Sequence, residues 1–146
     1  LMWIHVKYNE HSLTPGGKDL VNDGEVGVVC QVLDLLKATT SRLSCVTVLT
    51  PYGAQVEQLK YRLGHFNDLG KLTTIDAAQG TEDDVVVVSL VRSNCNSALG
   101  FLGDPKRANV AITRGRYGTI LIGDADCCFQ GSSAWAQIIW ELQTHK

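Results

Sequence analysis

Apolar and polar positions fall along the chain in blocks that alternate between strand and helix periods. Trp3, Ile4, Val6 and Tyr8 mark a short strand, and the polar stretch 9–23, rich in Gly, Pro and Ser/Thr, reads as a loop. Val28, Val29, Val32, Leu33 and Leu36 recur at helical spacing and predict a helix from near Gly24. The apolar run 45–49 is a strand, after which Thr50 and Pro51 supply an N-cap hydroxyl and a proline at the first helical position, with Val56, Leu59 and Leu63 carrying the helix. Strands follow at 72–75 and 85–91, the second almost unbroken Val and Leu, as in a strand buried on both faces of a parallel sheet. Pro105 opens a short helix that Gly115 can close, 119–122 forms a fifth strand ending in Gly123-Asp124, and Trp135, Ile138, Ile139 and Leu142 stripe a terminal helix. The expected fold is α/β: a mostly parallel sheet with helices on both faces, its ligands collected on loops after the C-terminal ends of the strands.

Composition narrows the classes. At 146 residues, 45% hydrophobic and 19% charged, the chain suits one globular domain with a real core. Thirteen basic and fifteen acidic side chains leave a net charge of −2, so nucleic acid binding requires a local basic patch. No apolar run approaches the ~20 residues of a membrane crossing, and the first residues lack the basic region and cleavage site of a signal peptide. A cytoplasmic or nuclear location with no membrane partner is expected. Cys30, Cys45, Cys95, Cys127 and Cys128 form no metal-ligand spacing and read as reduced thiols, the adjacent pair as small apolar filler. His5, His11, His65 and His145 make no motif, and no metal site is expected.

Three segments carry candidate chemistry. Residues 50–55 join a strand to a helix N-terminus, which suits an anion, although a proline-started helix needs no ligand to explain it. Residues 74–84 form a polar connection in which Gly80 allows close backbone approach and Asp76, Gln79 and Glu82 offer polar groups. Read more simply, it is a turn. Residues 106–116 hold Lys106, Arg107, Arg114 and Arg116 and no acid. Arg107 and Arg114, seven apart, lie about two turns or ~10 Å apart along one helix side, and arginine suits phosphate because its planar fork binds two oxygens. Such a helix could equally be one whose last turn sets arginine against its own dipole.

Together the three segments resemble a known family. Thr-Pro-Tyr-x-x-Gln, then Asp-x-x-Gln-Gly-x-Glu, then Asn-Val-Ala-Ile-Thr-Arg-x-Arg, in that order, are similar to motifs IV, V and VI of superfamily 1 helicases. Val91-Arg92-Ser93 and the stretch 99–107 are similar to the 5′-to-3′ group that includes the nonsense-mediated-decay RNA helicase, and the likeness runs from about residue 22 onward.

The resemblance implies that residues 1–146 are one RecA-like domain, the second half of an ATP motor with the P-loop NTPase fold but no P-loop. Gly16-Gly17-Lys18-Asp19 has the wrong spacing for a phosphate loop, and no Asp-Glu pair follows a strand. ATP and Mg2+ would therefore be held mainly by a first RecA-like domain, and this chain alone would not turn ATP over. By likeness, Arg114 would be the arginine finger, Gly80 and Glu82 would touch the nucleotide, and Arg116 would assist. Thr50, Pro51, Thr74, Asp76, Arg107 and Asn109 would line a track for single-stranded RNA or DNA, contacting phosphate and sugar. Two positions depart from the family: Ala78 stands where many relatives have an aromatic residue, and Gly115 where they usually have alanine. The alternative is a non-catalytic binding or scaffolding member of the same fold; a dinucleotide-binding domain is disfavoured because no G-x-G-x-x-G follows a strand.

Overall fold

A computed structural model describes residues 1–39, 45–64 and 70–144; His65 and His145 lie outside them. In chain order its elements are β1 (Met2–His5), β2 (His11–Ser12), β3 (Leu20–Val21), α1 (Asp23–Thr39), β4 (Val46–Thr50), α2 (Gly53–Leu63), β5 (Leu72–Thr74) and β6 (Asp83–Ser89). A 3-10 turn at Gly100–Gly103, α3 (Pro105–Thr113), β7 (Gly115–Gly123), α4 (Ala125–Gly131) and α5 (Ser133–Thr144) follow. Five strands form one sheet in the order β1-β7-β6-β4-β5, every neighbouring pair parallel. This is the mostly parallel α/β sheet with helices on both faces that the strand and helix pattern predicts.

The valine run explains why the sheet is covered twice. Successive strand side chains point to opposite faces, so Val85 and Val87 enter the core beneath α1 and α2 with Val29, Leu33 and Leu59, while Val86 and Val88 enter the core beneath α3, α4 and α5 with Leu102, Ala108 and Trp135. All four are at most 9% exposed, and full burial of each contributes roughly 1.5–3 kcal/mol. Trp135, the largest fully buried side chain, donates its indole N–H to the Leu102 carbonyl at 2.9 Å and meets Trp3 edge to face at 6.0 Å. Cys127 and Cys128 are buried in the same core as apolar filler.

Several local expectations are corrected. The 9–23 segment is not all loop, since β2 and β3 pair there as an antiparallel ribbon. Thr50 and Pro51 do not cap α2: Thr50 is the last residue of β4, paired with Thr74, and the helix starts at Gly53 after an extended Tyr52 without a side-chain cap. Asp19, reaching over from the ribbon segment, accepts the Ala54 N–H at 3.0 Å instead. Gly115 does not close α3 but opens β7, the helix having ended at Arg114. Asp124 caps a separate helix, α4, by accepting from the backbone N–H groups of Asp126 and Cys127.

All five strands run the same way, so the sheet has a C-terminal edge, where His5, Thr50, Thr74, Ser89 and Gly123 end their strands, and an N-terminal edge, where Asp83 and Gly115 begin theirs. Residues 75–82 return from the first edge to the second without a helix, and Ile75 and Ala78 join the same core as Ala108 and Ala111 of α3.

Candidate functional site

Helix α3 and the 75–82 segment both connect the C-terminal edge to the N-terminal edge, packed through one core, and polar contacts join them at each end. Asp104 starts the helix by accepting the Lys106 N–H at 2.9 Å, and Pro105 occupies its first turn. At this end Arg107 grips Asp76 with two parallel hydrogen bonds, Nε to Oδ1 at 2.8 Å and Nη2 to Oδ2 at 2.9 Å. A second carboxylate, Asp104, lies 3.6 Å from Arg107 Nη1. The guanidinium sits 5.0 Å from the Phe101 ring centroid, and Phe101 leans on Tyr52 at 4.7 Å. Hydrogen bonding from Arg107 holds the Asp76 carboxyl below the ordinary range of an aspartate, so it is ionised at neutral pH.

The other end is built differently. Arg114 follows the last helical residue, donating Nη1 to the Thr81 carbonyl at 3.3 Å and Nη2 to Thr113 Oγ1 at 3.0 Å, while its Nε is buried with no hydrogen-bond partner. Its own carbonyl accepts the Asp83 N–H at 3.0 Å, which ties it to the start of β6. Arg116 lies 3.7 Å from Glu82, both side chains about 60% exposed. Gly80, at φ +84°, has open space where a side chain would project. Between Asp83↔Gly115 and Val85↔Gly118 the ladder carries a bulge. A Cβ at Gly115 would run into the Gly118 carbonyl, so glycine is what lets this bulge close. Asp83 is engaged elsewhere: burial opposes its charge, yet hydrogen bonds from Thr47 and Cys45 outweigh burial and hold its carboxyl below the usual range.

The structure thus pairs Asp76 with Arg107 and Glu82 with Arg116, and it sets Arg114 against the segment between Gly80 and Glu82. Gly80, Glu82, Arg114 and Arg116 lie at the N-terminal edge, ahead of β6 and β7, not on the loops after strand C-terminal ends. Thr50 and Pro51 are buried, and the Thr50 hydroxyl has no hydrogen-bond partner. Thr74 is half-buried and accepts the Ala77 N–H at 3.3 Å, while Asn109 is exposed on α3.

A buried polar network at the C-terminal edge escaped the sequence reading. Glu25, fully buried at the start of α1, accepts from the Ser89 hydroxyl at 2.6 Å and the Val91 N–H at 2.8 Å through Oε2, while its Oε1 has no partner. Gln55 donates to Ser89 at 3.0 Å, and Asn22 donates to the Val91 carbonyl at 2.9 Å. These bonds hold Val91 at φ +72°, an unusual conformation for a β-branched residue. Burial pushes the Glu25 carboxyl up to about 8. Its one local signal was Asn22-x-x-Glu25 before an apolar stripe, a helix-start pattern; the Asn22 side chain does accept the Glu25 N–H at 3.1 Å. Beside it, Glu10 accepts the Ser93 N–H at 2.6 Å, Arg92 lies 3.3 Å from Glu10, and Arg92 donates to the Tyr52 hydroxyl at 3.2 Å. His5, Asp124 and Asp126 come together with ligand atoms within 4.8 Å of one another. Ser93 and two backbone N–H groups already occupy both Asp124 oxygens, and His5 Nδ1 accepts from Ala125.

An AAA_12 family model, described as an AAA domain, matches residues 1–126. The chain belongs to this family. Among curated proteins, the DNA polymerase alpha-associated DNA helicase A of Saccharomyces cerevisiae is 33% identical over 134 residues, 86% of this chain and 19% of that protein. The ATP-dependent helicase upf1 of Schizosaccharomyces pombe is 28% identical over 130 residues, 84% of this chain and 14% of that protein. Regulator of nonsense transcripts 1 from Caenorhabditis elegans is 33% identical over 120 residues, 77% of this chain and 11% of that protein. This chain therefore spans less than a fifth of the length of these relatives. The crystal structure of the C-terminal domain of a possible DNA helicase from Lactobacillus plantarum WCFS1 superposes with a TM-score of 0.55 at 15% identity, covering 81% of this chain and 75% of that one, which supports the fold. The AAA_12 chain is a superfamily 1 helicase domain with a RecA-like sheet, similar to the nonsense-mediated-decay helicases. Among its described residues no helix is long and apolar enough to cross a membrane.

Proposed function

We propose that this AAA_12 domain is the second motor domain of an ATP-dependent RNA or DNA helicase, supplying an arginine finger from one edge of its sheet and part of a single-strand track from the other. The observation that carries the reading is Arg114, a half-buried cation whose side chain, among the described residues, meets a carbonyl and a hydroxyl but no carboxylate, and whose Nε–H has no partner there. A half-buried guanidinium with no carboxylate in front of it suits an incoming triphosphate. Gly80, which leaves open space, and the Glu82–Arg116 pair would flank it.

ATP bound with Mg2+ supplies the transferable phosphoryl group and the energy of its hydrolysis. Arg114 would neutralise charge developing on that group, and its backbone tie to Asp83 and its Thr81 contact orient it for the purpose. Among the described residues Glu82 lies 3.7 Å from Arg116 and Asp83 accepts from Thr47 and Cys45, and the metal would be held mainly by the first RecA-like domain. Thr74, Arg107 and Asn109 would meet strand phosphate and sugar at the C-terminal edge and along α3, and Thr50, Pro51 and Asp76 would shape that track.

The test is ATP turnover by the purified 146-residue chain. No Mg2+-dependent activity above buffer is expected, with activity restored only when a domain carrying a phosphate loop is joined to it. Turnover by the chain alone that Arg114→Ala abolishes would overturn the half-motor reading.

A further inference from the structure

Arg107 enters the strand reading with its fork already filled. Nε and Nη2, the two donors that grip a phosphate side by side, both bond Asp76. A strand phosphate can take that pair of donors only if the carboxylate leaves. Resting on the single-strand reading above, we propose that Arg107 is a one-phosphate subsite whose resident anion is the Asp76 carboxylate, exchanged for a backbone phosphate when a strand binds. Asp76 is then the competitor at this subsite and not one of its contacts.

Three features fit an exchange. Carboxylate and phosphate present two oxygens to a guanidinium in the same forked geometry, so one replaces the other without moving the arginine. The arginine is held independently of Asp76: its guanidinium lies over Phe101, Phe101 leans on Tyr52, and the buried Tyr52 hydroxyl accepts from Arg92. Asp104, 3.6 Å from Nη1, remains as a second tether. Asp76, by contrast, is free to go, for its side chain is 62% exposed and its carboxylate has no other partner among the described residues. The Asp76 side of the pair is open to solvent, where salt screens its attraction to the arginine. Arg107 holds the Asp76 carboxyl ionised at neutral pH, so a carboxylate anion occupies the fork whenever no strand does.

Binding of a fluorescein-labelled oligothymidylate to the 146-residue chain, followed by anisotropy across a salt series, tests this. Arg107→Ala should weaken binding; if it does not, or if the chain binds no strand, the single-strand reading itself fails at this position. Given that weakening, Asp76→Asn should tighten binding severalfold, because the phosphate no longer has to displace a carboxylate, while Arg107→Ala, which loses one phosphate contact, should flatten the salt dependence by about 0.7 in log–log slope. Placing Asp76→Asn in the Arg107→Ala background should then change nothing. Equal tightening in both backgrounds would mean a general charge effect, and unchanged or weaker binding by Asp76→Asn would make Asp76 a contact or a strut; either overturns the exchange while leaving the strand reading intact. Asp76→Glu, which keeps the anion, should bind like wild type, and melting temperature controls for folding. Millimolar inorganic phosphate should not displace the strand; displacement that depends on Arg107 would assign the subsite to free phosphate and overturn the proposal.

Discussion

The two edges of the sheet treat their charges in opposite ways. At the C-terminal edge nearly every charged group is met: Arg107 by two carboxylates and an aromatic ring, Arg92 by Glu10, Asp124 by Ser93 and a helix end. At the N-terminal edge, among the described residues, Arg114 meets a carbonyl and a hydroxyl but no carboxylate, and Arg116 and Glu82 face each other across 3.7 Å of largely exposed space. The two arginines are seven residues apart and indistinguishable by residue type. What separates them is whether an anion already stands in front of the fork: at Arg107 an arriving phosphate has to displace the Asp76 carboxylate, whereas at Arg114 no carboxylate stands there among the described residues.

The sharpest way to break this contrast is to remove each arginine in the longer helicase proposed above. Arg114→Ala should lower ATP turnover on the order of 10³-fold or more, with strand affinity in the absence of nucleotide unchanged. Arg107→Ala should weaken strand binding and spare turnover at saturating strand. Paired ATPase and strand titrations that give the same profile for both would dissolve the distinction.

A second prediction concerns the closed edge alone. Glu25 titrates near 8 in the folded chain against 4.5 for an ordinary glutamate, so between those values the folded state keeps a proton that the unfolded state releases. Its contribution to stability is therefore complete below pH 4.5 and declines as pH rises toward 8, by at most about 1.4 kcal/mol per pH unit. Denaturant midpoints across this range should fall with pH in wild type, and the fall should be abolished in Glu25→Gln, a variant that keeps the shape without the titration. An unchanged slope in that variant would remove Glu25 as its source.

At the open edge, Gly115→Ala places a methyl group against the Gly118 carbonyl and should cost roughly 1–3 kcal/mol by overpacking, read as a lower melting temperature together with slower turnover in the longer protein. A variant as stable as wild type would show that the bulge opens easily. The smallest effect is expected at Thr50, whose buried hydroxyl has no partner. Thr50→Val should change stability by less than about 1 kcal/mol and leave strand affinity within experimental error; a clear loss of affinity would mean that this hydroxyl reaches the strand.

Much of this architecture was legible because periodicity reports faces. The valines of β6, the α1 stripe and the Trp135 helix all assign their residues to a core without knowledge of the partner. Periodicity is silent about ends. That 75–82 crosses the sheet without a helix, and so carries Asp76 to one edge and Glu82 to the other, depends on packing of Ile75 and Ala78 against α3. Thr50-Pro51 misled because a local capping pattern was outcompeted by the ladder with β5 and by Asp19 from a distant segment. Residues 22, 25, 55, 89 and 91 have no common spacing, so the network they build was invisible until the strands were in register.

The pairing of β1 with β7, Met2 opposite Ile120, has a consequence for how the chain comes to be folded. β1 has its partner 118 residues later in the chain, a delay of roughly 6–24 s at 5–20 residues per second. Among the described residues Met2, Trp3 and Ile4 pair only with β7, and Trp135, on which Trp3 rests, is made later still. Closure of this edge is thus a late, long-range event in assembly, with the high contact order that slows folding.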